Sequence, residues 1–338
     1  MEELLYNNIN QDLQVTEETP FGNLSAISKT GGRSENQDCF GYVNTKHGLL
    51  IVVCDGMGGA NGGRTASSLS VNTILEYVVK TELDNPAEII ETAIKTANKA
   101  VCSKGASDIN LKGMGSTIVA VLLNDNYATI AHVGDSRVYQ IRKHKIIFRT
   151  TDHSAVFELV KRKIITEEQA RLSAESNVIM RAIGSSPDID VEIDDSIPYS
   201  SNDRFILCSD GIWGTFNEKI LINSFAKYSS VEECAKHLAE KVDKAGLDTG
   251  GHHDNLTALM IEMAANSQKR PSKYKKNKLL VIILSAIIIA ITLILAAFWL
   301  SKSTPKDKQN EVLPQNDTSA NQGVSNMEMS SINIFRLR

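Results

Sequence analysis

Two apolar runs in this chain end in the same way. Leu49-Leu50-Ile51-Val52-Val53 passes through Cys54 into Asp55-Gly56, and Phe205-Ile206-Leu207 passes through Cys208-Ser209 into Asp210-Gly211. A carboxylate at the end of a buried strand presents a rigid oxygen donor to a cation, and a following glycine lets backbone approach a ligand. Three more aspartates stand at strand edges: Asp38 beyond Arg33-Ser34-Glu35-Asn36-Gln37, Asp135 in Gly134-Asp135-Ser136-Arg137, and Asp254 in His252-His253-Asp254-Asn255. One Asp-Gly alone is as well read as a strand-ending turn; the repetition is what points to metal chemistry. If several of these carboxylates converge they need cations, since two unit charges ~5 Å apart at an effective dielectric of about 20 repel by roughly 3 kcal/mol.

The segments that would position them read as short strands and amphipathic helices. Strand patterns cover 48–54, 116–123, 127–133, 137–141, 204–208 and 256–261. Asn124-Asp125-Asn126 and Arg142-Lys143-His144-Lys145 have the chemistry of tight reversals, so neighbouring strands pair antiparallel. Helical periodicity runs through 64–80, 86–103 and 231–245, with Pro86 where a first turn tolerates it. A further helical pattern covers 155–163, and Thr166-Glu167-Glu168-Gln169 has the form of a capping box. Strand groups separated by helix groups predict an α+β domain with helices covering antiparallel sheets.

Seven ordered motifs resemble the PPM/PP2C metal-dependent protein serine/threonine phosphatases, bacterial type. They are Arg33-x-x-Asn36-x-Asp38, Asp55-Gly56-Met57-Gly58-Gly59, Gly113-x-Gly115-Ser116-Thr117, Gly134-Asp135-Ser136-Arg137, Asp152-His153-Ser154, Ser209-Asp210-Gly211-Ile212-Trp213 and Asp254-Asn255. The resemblance spans about 22–264. It implies a four-layer α-β-β-α sandwich, two antiparallel sheets flanked by helices, with Mn²⁺ or Mg²⁺ at one end. By that resemblance Asp55 bridges two ions, Asp38 and the Gly56 carbonyl complete the shell of one, and Asp210 with Asp254 holds the other. Asp135, together with Asp210, resembles the ligand to a third, weaker ion, and Arg33 resembles the residue that grips the substrate phosphate. Asp55 and Arg33 are thus the expected catalytic residues. Such a donor set, oxygen only, suits Mg²⁺ or Mn²⁺, and the cations would activate water for in-line attack on phosphorus. The implied partners are phosphoproteins, including a Ser/Thr kinase or its substrates.

The chain departs from the family in places. Gln37 stands where many members carry Glu, Met57 where some eukaryotic members carry a proposed acid His, and Gly214 where some relatives offer another Asp. His153 is either a proton donor to the leaving group or a structural hydrogen-bonder. Residues 152–190 resemble the family's flap, either a mobile lid or a packed insertion. His252 and His253 border the site, and Gly58-Gly59 and Gly62-Gly63 read as turns because no Gly-Lys-Ser/Thr follows. Two alternatives stand beside the phosphatase reading: a catalytically silent binding module with the same sandwich, and a phosphatase of a non-protein phosphoester.

Charge and hydropathy divide the chain. The 338 residues carry a net charge of −4, but the first 265 hold −11 and 266–278 hold six basic residues and no acid. An acidic body argues against a nucleic-acid surface, which needs a basic face. Residues 279–300 carry no charge, and as a helix they would reach roughly 33 Å, enough to cross a bilayer. Six basic residues precede this stretch and Lys302, Lys306 and Lys308 follow it, which predicts a single-pass protein of the cell membrane with its catalytic domain cytoplasmic. Glu2 and Glu3, with no apolar stretch after them, predict no secretory signal. The expected organisation is an N-terminal extension 1–21, a phosphatase domain 22–264, a basic juxtamembrane linker 265–278, a transmembrane helix 279–300 and a polar tail 301–338. The five cysteines form no C-x-x-C pair and are expected reduced.

Overall fold

The structure is a computed structural model and describes residues 5–6, 12–125 and 127–264. The basic linker, the uncharged stretch 279–300 and the polar tail lie outside the described residues. No helix among the described residues is long and apolar enough to cross a membrane.

In chain order the strands are β1 (Leu5–Tyr6), β2 (Leu13–Thr19), β3 (Gly22–Lys29), β4 (Asp38–Thr45), β5 (Gly48–Met57), β6 (Gly115–Ser116), β7 (Ile118–Asn124), β8 (Tyr127–Val133), β9 (Arg137–Arg142), β10 (Lys145–Arg149), β11 (Glu192–Pro198), β12 (Arg204–Cys208) and β13 (Leu256–Met263). The helices are α1 (Gly59–Lys80), α2 (Pro86–Ser107), α3 (Ala155–Lys161), α4 (Glu167–Arg171), α5 (Asp210–Trp213), α6 (Glu218–Lys227) and α7 (Val231–Asp248). One sheet runs β1-β4-β5-β7-β8-β11 with β6 beside β5, and the other runs β10-β9-β12-β13-β3-β2. Every pairing is antiparallel.

The unbroken apolar runs are strands buried on both faces. In β5, Leu49, Ile51 and Val53 enter the core between the sheets with Phe40, Val121, Phe205 and Ile261. Leu50, Val52 and Cys54 point the other way, against Ile74 and Leu75 of α1 and Ile90 and Ile94 of α2. The second sheet repeats the arrangement, with Ile206, Cys208 and Met260 packed on Phe225 of α6 and Leu238 and Val242 of α7. The α-β-β-α layering therefore follows from period-2 alternation in which both faces are apolar. The helix ends also follow local chemistry. The Asn85 side chain accepts from the Ala87 and Glu88 amides with Pro86 in the first turn, and Thr166 and Gln169 form a capping box on α4.

Within the expected N-terminal extension 1–21 the described strands belong to the sheets, since β2 pairs along β3 and β1 pairs with β4. β2 carries little signal along its own residues because it is an edge strand in which Leu13 and Val15 alone pack against the inter-sheet core. Gly62 and Gly63 lie in the first turns of α1 rather than in a loop. A Cβ on Gly63 would lie 2.4 Å from Gln37 Oε1 and 2.7 Å from the Gly56 carbonyl, so close helix–strand approach explains the glycine. The edge strands β10 and β11 carry no period-2 pattern because each shifts register partway, so that Ile146 and Phe148, and Ile193 and Ile197, pack on different cores. All five cysteines are free, four of them buried and Cys102 half-buried.

Candidate active site

The antiparallel sheets bring one set of strand termini to a common end. Asp38 opens β4, Asp55 lies near the end of β5, Asp135 sits between β8 and β9, Asp210 follows β12 and Asp254 precedes β13. Asp38 and Asp55 face each other across the β4–β5 pair. A cleft of about 780 Å³ at this end is lined by Arg33, Asp55, Gly56, Asp135, Asp210 and Asp254, with Gln37, Met57, Thr117, Asn177 and Ile179 among the other walls. Asp38 is not in the wall. It is 1% exposed and accepts from the Ser209 hydroxyl at 2.8 Å, which ties it to the residue preceding Asp210.

Both Asp-Gly glycines serve chain packing. A Cβ on Gly56 would stand 2.0 Å from the Gly63 carbonyl oxygen, and one on Gly211 would stand 1.9 Å from that of Asn255. The second contact draws the Asp210 and Asp254 segments together. Thr117 holds the Asp55 backbone from both sides, donating its N–H to the Asp55 carbonyl at 2.8 Å and accepting from the Asp55 N–H at 3.0 Å. Its hydroxyl also bonds Ser136 at 2.7 Å, next to Asp135.

Two asparagines were underrated by sequence reasoning. Asn255 Oδ1 accepts from the Gln37 N–H at 2.8 Å, while its Nδ2 donates to the carbonyls of Thr30 at 2.8 Å and Glu35 at 2.9 Å. It thereby locks the loop carrying Arg33. Asn36 Oδ1 accepts from the Asp38 N–H at 3.1 Å. The visible signal was their place beside carboxylates in the Arg33-to-Asp38 and Asp254-Asn255 motifs. Arg33 itself is half in solvent and donates to Asp254 Oδ2 at 2.7 Å.

Asp38, Asp55, Asp135 and Asp210 are held above the ordinary carboxyl range. Burial first, moderated by the Ser209 hydroxyl and aggravated by Asp210 and Asp254, raises Asp38 to about 7. Burial and then the Asp254 charge raise Asp210 to about 6. Asp55 and Asp135 are pushed well above the carboxylate range by burial, followed by repulsion from Asp38 for the former and Asp210 for the latter. Asp210 Oδ1 is buried with no hydrogen-bond donor among the described residues. A set of oxygen donors that repel one another, one of them lacking a donor, fits hard divalent cations.

His153 lies outside the cleft wall. Its Nδ1 accepts from the Gly134 N–H at 3.2 Å, so the proton is on Nε2, which donates to Glu192 at 3.0 Å. Its ring stacks on His132 with centroids 4.6 Å apart. The structure thus uses His153 as a hydrogen-bonder, and it offers no free lone pair to a metal in the His132–His153–Glu192 cluster. The His253 Nε2 contacts Asp243 at 2.8 Å, on the side of α7. Met57 lines the cleft and supplies no proton. Residues 152–190 form α3, α4 and connecting turns, closed on themselves by a bridge from Ser154 to Ile179 and joined to the body by a bridge from Ser116 to Ile183 and by the His153 N–H, which donates to the Gly134 carbonyl at 2.9 Å.

A two-sheet sandwich with an aspartate-lined cleft at one end of its strands defines a class of divalent-cation hydrolases. The model of the protein phosphatase 2C family matches residues 28–257. The chain is 31% identical over 237 residues to the serine/threonine phosphatase stp of Listeria monocytogenes, covering 68% of this chain and 91% of the relative. It is 30% identical over 245 residues to the protein phosphatase PhpP of Streptococcus pneumoniae, covering 71% and 97%. The fold matches the crystal structure of the serine/threonine phosphatase Stp1 of Staphylococcus aureus at a TM-score of 0.64 and 27% identity, over 73% of this chain and 97% of that one. It also matches the catalytic domain of the protein phosphatase PstP, solved with 2 manganese ions, at a TM-score of 0.60 and 26% identity, over 75% and 100%. The chain belongs to the protein phosphatase 2C family and is an enzyme of that type, a serine/threonine phosphatase.

Proposed function

We propose that this protein hydrolyses phosphoserine and phosphothreonine on proteins by direct attack of water, with divalent cations held by its aspartates. The observation that carries the reading is the convergence of Asp55, Asp135, Asp210, Asp254 and Arg33 on one cleft. Asp55, Asp38 and the Gly56 carbonyl would hold one Mn²⁺ or Mg²⁺, Asp210 and Asp254 with Asp55 a second, and Asp135 with Asp210 a third. Bound there, the cations would offset charge on the phosphoryl oxygens and acidify a water. The chain's own groups supply position. Arg33 offers a planar two-pronged donor to the phosphate, and Asn255 fixes the loop that carries it. Gly56 and Gly211 let the backbone beside Asp55 and Asp210 pack against the carbonyls of Gly63 and Asn255. Phosphoryl transfer asks mainly for positioning and charge stabilisation, which direct attack by a water placed in this cleft can use without a covalent intermediate.

The protein is placed, on its sequence, at the cell membrane through 279–300, with residues 1–278 in the cytoplasm where phosphoproteins, among them a Ser/Thr kinase or its substrates, are its partners. The support is the uncharged 22-residue stretch and the basic excess before it. Protease added outside intact cells should spare the body and reach only residues beyond 300. Asp55→Asn or Asp210→Asn should abolish Mn²⁺-stimulated release of p-nitrophenol from p-nitrophenyl phosphate while leaving the far-UV circular dichroism unchanged. Full activity in both would remove the cation assignment.

A further inference from the structure

The body ends with β13, at the end of the sandwich opposite the cleft. Asp254 and Asn255, which line the cleft, precede this strand, and Met263 closes it roughly 25 Å away along an extended backbone. The exit is clamped on both sides. The Met263 N–H donates to the Asp203 carbonyl, the Asn202 N–H to the Met263 carbonyl and the Ala264 N–H to the Phe21 carbonyl, each at 2.9 Å. The chain therefore leaves the body from the face turned away from the aspartates.

The β9–β10 turn stands at that same end. Ile141, Arg204 and Glu262 are neighbours in register across β9, β12 and β13, so Arg142 to Lys145 reverse direction beside the last residues of β13. Arg142 is tied to the exit itself, because its Nε and Nη2 donate to the two oxygens of Asp203, each at 2.7 Å. A cavity of about 490 Å³ lined by Arg142, Lys143, His144 and residues 200–204 leaves room beside these side chains for a lipid headgroup.

The turn runs against local preference. Lys143 and His144 have φ of +47° and +64°, the two-residue geometry that Asn-Gly fills with least strain. A turn selected for stability alone would carry those residues; this one accepts strain and presents Lys143, His144 and Lys145 to solvent. Other cations at this end are neutralised. Arg142 pairs with Asp203, Arg204 with Glu262, and Lys46 of the β4–β5 turn with Glu82. Lys143 and Lys145 have no acidic partner among the described residues.

Charge and reach make this local excess matter. The first 265 residues carry −11, while 142–145 hold three basic residues, one His and no acid. An anionic bilayer repels such a body and attracts its basic tip. The 14 residues of 265–278 reach at most about 50 Å, which by itself would leave the body free to turn its cleft toward the bilayer. Each unpaired lysine at an anionic surface shifts that choice about fivefold, so the two together favour the tip-down orientation roughly 30-fold.

We propose that the β9–β10 turn, through Lys143 and Lys145, docks on the anionic headgroups of the membrane that anchors this chain and so holds the cleft facing away from the bilayer. The inference rests on the reading of 279–300 as a membrane span.

The test uses the full chain reconstituted in lipid nanodiscs, either of phosphatidylcholine alone or of phosphatidylcholine with phosphatidylglycerol. Exposed lysines are acetylated with an N-hydroxysuccinimide ester, and the rate at each is read by mass spectrometry. Lys236 on α7 serves as a reference, as does Lys112, which adjoins the Gly113 that packs on Gly58 in the cleft wall. On the anionic discs Lys143 and Lys145 should react about fivefold or more slowly than on neutral discs, with both references unchanged. In about 1 M salt, where screening shortens to about 3 Å, the difference should vanish. Lys145→Glu should remove most of the protection of Lys143 while hydrolysis of p-nitrophenyl phosphate in detergent stays the same, since the turn lies outside the cleft. Equal reaction of Lys143 and Lys145 on the two kinds of disc, with the chain embedded in both, overturns the docking alone. Slowing at Lys112 in their place would show the reverse orientation and overturn it too. A chain that elutes apart from discs of either composition once detergent is removed sinks the membrane span and the docking together.

Discussion

Protons and cations must compete for the same carboxyls, and the size of that competition can be worked out. With a pKa of about 7, Asp38 is about nine-tenths protonated at pH 6 and about one-tenth at pH 8, so its proton alone should weaken cation binding roughly tenfold between the two. Asp210, at about 6, adds about a factor of two. Asp55 and Asp135, raised further, act in the same direction, and the protons leave in steps that belong to the cluster. Overall affinity for Mg²⁺ or Mn²⁺ should therefore fall at least about 20-fold from pH 8 to pH 6, and binding at pH 6 should release about one more proton than at pH 8. His132 and His153, whose pKa values are lowered chiefly by burial, titrate outside the cleft and drop out of a comparison made on the folded protein. Titration calorimetry in two buffers of different ionisation enthalpy measures both quantities. An affinity that is flat across this range, with no proton release, would refute the argument that burial and repulsion hold these carboxyls protonated in the metal-free protein.

Three shorter predictions follow from the same geometry. A raised carboxyl binds its proton more tightly folded than unfolded, so its stabilising contribution is full below the ordinary carboxylate pKa and is lost as pH rises through the folded value. Asp38→Asn removes that loss and should raise the melting temperature in chelator at pH 8 by at least a few degrees, while abolishing cation-dependent hydrolysis; a lower melting temperature would contradict it. Arg33→Ala should raise KM for an aryl phosphate about tenfold with a smaller effect on kcat, and an unchanged KM would take Arg33 out of phosphate binding. Gly211→Ala, whose Cβ would meet the Asn255 carbonyl at 1.9 Å, should cost about 1–3 kcal/mol in chemical denaturation and weaken cation binding by separating Asp210 from Asp254; a variant with normal stability would show that the contact yields easily.

Much of this protein is written locally. Runs such as Leu49–Cys54 declare a strand buried on both faces because every residue is apolar, and Asp55 and Asp210 declare themselves by standing at the ends of such runs. Asn85-Pro86 and Thr166 to Gln169 announce helix starts because capping is chemistry within four residues. Other features depend on partners distant in the chain. The edge strands β2, β10 and β11 exist because a neighbour offers them hydrogen bonds, which no count along their own residues reveals. The glycines of the Asp-Gly pairs answer to the carbonyls of Gly63 and Asn255, and His153 is a spacer because Gly134 and Glu192 occupy its nitrogens. Residue types and short spacings could name the chemistry, since donor atoms and periodicity are properties of a segment. Which groups share a cleft, and which merely hold it in shape, was settled by the free energy of packing two sheets whose strands come from opposite ends of the chain.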